Sequence, residues 1–303
     1  MRVLVFGSTG QVARALARTK WPKETRLTAL DRTAADFSRP QHLGRIVRER
    51  GPDAVVIAAA YTQVDKAECE EALANTINAV APGEIAAATA ALSIPVVHIS
   101  TDYVFDGEKD VSYKETDPVG PIGAYGRTKL AGEIAVREAN PKHLILRTSW
   151  VYDAAGANFL RTMLRLAESR DEVRIVADQQ GCPTAAEDIA GAIECALAAA
   201  MNEAATFGTY HVAGGAATTW HGFAEAIFDG LATRGLRRPR NIPIATADYP
   251  TAARRPANSR LSSEEFARTF GFRVPGFQTA LPAVLDQAVG LISQSGPAKR
   301  GMA

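Results

Sequence analysis

Cysteine is scarce in this chain of 303 residues. Only Cys69, Cys182 and Cys195 occur, an odd number at wide spacing with no C-x-x-C pair. That leaves no basis for a disulfide framework and points to a reducing, cytoplasmic compartment. The five histidines (His42, His98, His143, His211 and His221) form no ligand-spaced pair, so no metal is expected. Net charge is also nearly absent, with Lys+Arg 34 against Asp+Glu 33. This balance argues against a broad nucleic-acid surface, and the Arg-rich stretch 234–240 is short. No apolar run reaches the ~18 residues of a membrane span, because Glu, Pro or Asn cuts each Ala-rich segment. The run 3–6 behind Arg2 is too short for a signal peptide. No internal repeat or low-complexity block is present.

What remains is ordinary for a soluble globular chain: 47% hydrophobic and 22% charged residues. A chain of this size buries roughly three quarters of its surface on folding and needs neither disulfide nor metal to hold a core. The first half alternates. Short apolar strands are expected at 2–6, 26–30, 53–58, 95–99 and 143–148, with helices at 11–20, 42–50, 71–92 and 125–138. Continuous apolar strands between helices indicate a parallel sheet covered on both faces. The expected class is α/β: a doubly wound parallel-sheet (Rossmann) domain with a smaller mixed α/β substrate domain. The second half is less regular. Helices are expected at 158–168, 185–200, 220–231, 262–270 and 277–292, strands at 209–212 and 242–244, and a polar, frayed tail at 293–303. The dinucleotide-binding part is expected over 1–150 plus about 184–215, and the substrate part over about 151–183 and 216–303.

Three local patterns carry chemistry. Gly7-Ser-Thr-Gly10-Gln11-Val12-Ala13 follows the first strand. Its glycines permit a tight turn and close approach of a diphosphate to a helix N-terminus. Asp31 stands 21 residues past Gly10, where an acid accepts from an adenosine ribose diol. Its neighbour Arg32 suits a 2′-phosphate instead, so NADH and NADPH both remain open. Ser100-Thr101-Asp102 ends the fourth strand, at the edge where open sheets bind ligands, although these residues also cap turns. Tyr125 and Lys129 are four apart and share one helix face. An ammonium there is expected to lower the phenol's pKa and ready it for proton transfer. Each pattern alone has a bland structural reading; together they are the parts for hydride transfer to or from a carbonyl.

With these residues in place, the chain resembles the extended short-chain dehydrogenase/reductases. More narrowly it resembles the thymidine-diphosphate-4-dehydrorhamnose reductase family. The likeness runs from residue 1 to about 270 and rests on Ala59-Ala-Tyr-Thr-Gln-Val-Asp-Lys-Ala-Glu68, Ser100-Thr-Asp-Tyr-Val-Phe105, YGRTKLAGE from Tyr125, and Arg255-Pro-Ala-Asn-Ser-Arg-Leu261. It implies reduction of a sugar C4 ketone by NADPH or NADH, with Tyr125 giving the proton, Lys129 on the nicotinamide ribose and Thr101 on the substrate carbonyl. It further implies Gly10, Gln11 and Val12 at the pyrophosphate, Asp31 at the ribose, and Asp36 and Phe37 near the adenine. Ala60, Tyr61 and Thr62 would run along the cofactor, while Asp102 and Trp150 would meet the sugar nucleotide. Arg255, Asn258 and Arg260 offer donors to a diphosphate and base, and Asn158 offers an amide or a helix cap.

One departure stands out. Some members of that family hold magnesium at a dimer contact through glutamates, and the position early in the first helix is Ala15 here, with Glu187 alone matching another. One carboxylate makes a poor magnesium site, so monomer and homodimer stay open. A 4-ketoreductase for another nucleotide-linked deoxysugar is the runner-up. A cofactor-binding regulatory subunit without turnover is the alternative of a different class.

Overall fold

A computed structural model describes residues 1–202 and 206–295 of the protein. The expected tail beyond 295 lies outside the described residues. Five apolar runs form the strands β1 (Arg2–Phe6), β2 (Arg26–Leu30), β3 (Ala54–Ile57), β4 (Val96–Thr101) and β5 (His143–Thr148). A sixth, β6 (Gly208–His211), comes from the second half. The sheet order is β6-β5-β4-β3-β1-β2, and every pairing is parallel. The chain runs from β1 outward to β2, then returns to the far side of β1 as β3. Where the order reverses, the two connections leave in opposite directions and a crevice opens above the strand ends.

Strand alternation sorts side chains to the two faces. Val3 and Val5 pack with Leu16 of α1 (Gln11–Arg18) and Ile189 and Ile193 of α6 (Ala186–Met201). Leu4 and Phe6 turn the other way. They meet Leu43 and Val47 of α2 (Leu43–Arg50), Ile85 of α3 (Ala81–Ala91) and Val136 of α4 (Ala124–Ala139).

The expected helix over 71–92 is broken. It runs as Glu71–Asn75, a π turn at Thr76–Val80, then α3. Within that turn Asn78 is buried. Its Oδ1 accepts from the Tyr61 N–H at 2.8 Å, and its Nδ2 donates to Tyr61 O and Thr128 Oγ1, both at 3.1 Å. The extra residue in the turn aims this amide inward. At the same level α4 crosses closely enough that a Cβ on Gly132 would sit 2.0 Å from Asn78 O. The loop after β3 is thereby pinned beside α4.

The second half builds its own core. Leu160 and Leu164 of α5 (Phe159–Ser169) pack with Phe223 and Ile227 of α7 (Trp220–Ala232) and with Leu281 and Leu285 of the helix Phe277–Ser295. That last helix outruns its expected end at 292. Strand Glu172–Val176 has no sequence expectation, because its charged residues hide the pattern; it pairs with Arg240–Ile244, of which only 242–244 was expected. The short helix Val64–Ala67 was not anticipated either. Phe266 and Val274 join the core on the α1/α6 face, so the chain returns to the sheet once more after β6. Among the described residues, no helix is long and apolar enough to cross a membrane.

Candidate active site

A cavity of about 620 Å³ lies at the strand ends between the two halves. It is bordered by Gly10, Gln11, Val12 and Arg14 on one side, by Ala58–Ala60 and Thr62 beneath, and by Thr101, Asp102, Tyr125 and Lys129 beyond. Trp150 closes it from the end of β5, and Asn158, Phe159 and Trp220 from the second half.

The turn from β1 into α1 explains the first wall. Gly7 has φ +104, and a Cβ there would be 3.0 Å from the Ala59 backbone N. Gly10 is the N-cap of α1 and no side chain caps its first amides. These N–H groups and the helix dipole therefore face the cavity uncommitted. The buried Gln11 Oε1 also has no partner. This donor-rich, side-chain-poor cradle fits a diphosphate, and with Asp31 and Arg32 one strand away it fits a dinucleotide.

The register of β4 on β5 sets Thr101 opposite Thr148 at the strand ends. Thr101 Oγ1 donates to Asp102 Oδ1 at 3.0 Å and accepts from the Tyr103 N–H at 3.3 Å. Asp102 is buried, its Oδ2 has no partner, and burial pushes its carboxyl up to about 6. Tyr125 opens α4, with the Tyr103 ring edge-on at 5.4 Å. Burial pushes the Tyr125 phenol up to about 12, opposed by a hydrogen bond with Thr101 and assisted by the Asp102 charge.

One turn on, Lys129 is buried. Its Nζ donates to Ile99 O at 2.7 Å and lies 3.3 Å from His98 Nε2. Burial brings this ammonium down to about 8, against the pull of Glu133. The expected lowering of Tyr125 by Lys129 is therefore corrected. The ammonium is committed to β4, and dehydration of the phenol dominates. Glu133 is committed too, accepting from Arg147 at 2.9 and 2.7 Å and from Ser100 Oγ at 2.6 Å.

The remaining sequence candidates divide. Trp150 and Asn158 line the cavity, although Asn158 Oδ1 caps α5 by accepting the Arg161 N–H at 3.0 Å. Asp31 is exposed and accepts the Ala34 N–H at 2.9 Å, while Arg32 points outward 3.5 Å from Asp36. Asp36 holds Ser38 through its N–H at 3.0 Å and its Oγ at 2.8 Å, which lowers its carboxyl pKa. The Phe37 ring is buried against Phe6, and the Tyr61 hydroxyl turns away to Glu70 at 2.5 Å, so neither side chain enters the cavity.

Arg255 lines an adjoining pocket of about 360 Å³ and pairs with Asp65 at 2.8 Å. Asn258 is spent on structure: Nδ2 donates to Lys109 O and Val111 O, and Oδ1 accepts from Arg260. Arg260 in turn donates to Asp110 O. Ala15 is buried under the sheet, and Glu187 pairs with Arg18 at 3.5 Å. Among the described residues, no group of three or more His, Cys, Asp or Glu is placed to hold a metal.

Sequence reasoning missed Trp220, which stacks on Trp150, and Arg14, which reaches back to Thr9 O and across to Ala155 O at 2.8 Å. Tyr103 was present in the S-T-D-Y-V-F string without a role. Trp220 carries no local signal, since its partner is 70 residues away.

Comparison with known proteins agrees with this geometry. A family model described as the RmlD substrate binding domain matches residues 1–289. The dTDP-4-dehydrorhamnose reductase of Burkholderia thailandensis is 49% identical over 289 residues, covering 93% of this chain and 97% of that protein. Two crystal structures are similar at 34% identity, each covering 94% of this chain and 99% of the other. They are a dTDP-4-dehydrorhamnose reductase from Clostridium acetobutylicum, with TM-score 0.88, and one from Bacillus anthracis in complex with NADP, with TM-score 0.87.

Proposed function

The chain belongs to the dTDP-4-dehydrorhamnose reductase family, and from that premise we propose how its residues carry out NAD(P)H-dependent reduction of dTDP-4-dehydro-L-rhamnose to dTDP-L-rhamnose. The observation that carries the reading is the meeting of Thr101, Tyr125, Lys129 and the uncapped α1 N-terminus around one cavity.

Bound reduced nicotinamide supplies the hydride to the sugar C4. The α1 amides and Gln11 hold the diphosphate, and Asp31 or Arg32 meets the adenosine ribose. With substrate bound, the Thr101 hydroxyl turns its proton from Asp102 Oδ1 to the C4 carbonyl oxygen and orients that oxygen toward Tyr125. A phenol pushed up to about 12 is fully protonated at neutral pH, so Tyr125 arrives as the acid. As negative charge grows on the C4 oxygen, the phenolic proton passes to it. The Lys129 ammonium, anchored by Ile99 O, binds the nicotinamide ribose. Asp102 and the Trp150–Trp220 wall orient the sugar, and Arg255 faces the nucleotide from the adjoining pocket. On this reading residues 1–150 with 184–215 carry the dinucleotide, and 151–183 with 216–303 cover the sugar nucleotide.

The test is oxidation of NADPH and NADH with freshly generated dTDP-4-dehydro-L-rhamnose, for wild type and Tyr125→Phe. Wild type should yield a rhamnosyl nucleotide, and the variant should lose about 10²- to 10⁴-fold in kcat with cofactor affinity nearly intact. Cofactor binding without oxidation in wild type would move the search to other keto-sugar nucleotides. A regulatory subunit would show partner stimulation that Tyr125→Phe leaves unchanged.

A further inference from the structure

We propose that His98 is a positioning residue for Lys129, a neutral imidazole whose Nε2 lone pair holds the ammonium at the back of the site. The proposal rests on the reductase reading for its effect on turnover and on geometry alone for its existence.

His98 lies on β4, fully buried, three residues before Thr101. Its Nε2 is 3.3 Å from Lys129 Nζ, while Nδ1 has no partner. An ammonium has donors and no lone pair, so the nitrogen facing it must be the acceptor. The ring proton then sits on Nδ1. Burial and the Lys129 charge both hold the imidazole pKa well below its usual value, which keeps the ring neutral. The space is built for this arrangement: a Cβ on Gly132 would stand 3.4 Å from Nε2.

The groups around Lys129 leave His98 this task. On its own helix, Glu133 is neutralised by Arg147 from β5 and approached by Arg137 at 3.8 Å. Tyr125, one turn earlier, is protonated. Asp102, beyond β4, is drawn to Thr101. The π turn on the far side offers the amide of Asn78, already shared by Tyr61 and Thr128. Asp102 keeps an unpartnered Oδ2, but among the described residues no carboxylate forms an ion pair with this ammonium. Ile99 O and His98 Nε2 take two of its three protons, which leaves the third for a ligand.

Two measurements test this. In the intact wild-type protein, nitrogen-15 NMR should find His98 neutral and protonated on Nδ1 from pH 6 to 8. Protonation on Nε2 would overturn the proposal, whatever the enzyme's substrate. In kinetics, the alkaline limb of kcat/KM reports loss of the Lys129 proton. His98→Leu removes the acceptor, so the ammonium is less favoured and the limb should move down by about one pH unit. His98→Gln restores an acceptor near the Nε2 position and should return most of that shift. A merely packing role would lower the melting temperature and leave the limb where it was, which overturns the proposal. Should His98→Leu not fold, the tautomer and the His98→Gln profile decide. Absence of turnover in wild type would reject the reductase reading and leave the NMR result standing.

Discussion

Trp150 and Trp220 lie face to face, ring centroids 3.5 Å apart and planes 7° from parallel. The first follows β5 and the second opens α7 in the other half, so the stack is a joint between the two halves at the mouth of the cavity. Trp150 holds φ +49, a left-handed backbone that a bulky residue adopts only when its surroundings compel it. Gly181 makes the room, since a Cβ there would come within 2.3 Å of the indole.

Gly181→Val should therefore push the Trp150 ring out of the stack. The Gly-rich turn forms a different wall of the cavity. KM for the sugar nucleotide should rise roughly tenfold while the NADPH Kd stays within about twofold. Steady-state kinetics with each substrate varied, alongside cofactor titration by fluorescence, makes the comparison.

Lys129 couples activity to pH. With its pKa near 8 and Tyr125 near 12, kcat/KM should fall above about pH 8 as the ammonium is lost, with the phenol still protonated. The same burial costs stability. A lysine whose folded pKa is lowered destabilises the protein below that pKa, and the penalty is relieved as pH rises toward the unfolded value of 10.5. Lys129→Met should abolish turnover yet raise the melting temperature at pH 7, and that gain should shrink by pH 10.

Glu133 of α4 and Arg147 of β5 form a buried bidentate pair between that helix and the sheet. Glu133→Leu alone strands the Arg147 charge and should cost about 3–5 kcal/mol. Adding Arg147→Met should recover most of it. Urea unfolding of both variants measures the difference, and equal losses in both would show that packing, rather than the orphaned charge, sets the cost.

Arg32 is exposed, with the Asp36 carboxylate 3.5 Å away, while Asp31 is engaged by the Ala34 N–H. Arg32→Ala should weaken NADPH binding roughly tenfold and leave NADH binding nearly unchanged. Direct titration of both cofactors checks it, and parallel losses would remove Arg32 from 2′-phosphate recognition.

Much of the site was legible because its chemistry is written locally. A glycine turn between a strand and a helix, an acid after the second strand, a hydroxyl at a strand end and two residues four apart on a helix are each short-range patterns. What was not legible lies where a residue's partner is distant. Asn258 looked like a ligand amide until Lys109, Val111 and Arg260 claimed it. The resemblance puts Phe37 near the adenine, and nothing in the sequence shows that its ring packs on Phe6.

The amino-acid sequence by itself determined the parallel sheet, the glycine turn into α1, the placing of Tyr125 and Lys129 on one helix face and the family. Strand periodicity, turn chemistry and helix spacing act over a few residues and survive without knowledge of the fold. Tertiary structure alone decided the protonation of the site. Whether Tyr125 is raised or lowered, and which groups hold Lys129, depends on burial and on His98, Glu133 and Arg147 arriving from two strands and a helix. Desolvation is a property of the packed interior, and no local pattern encodes it.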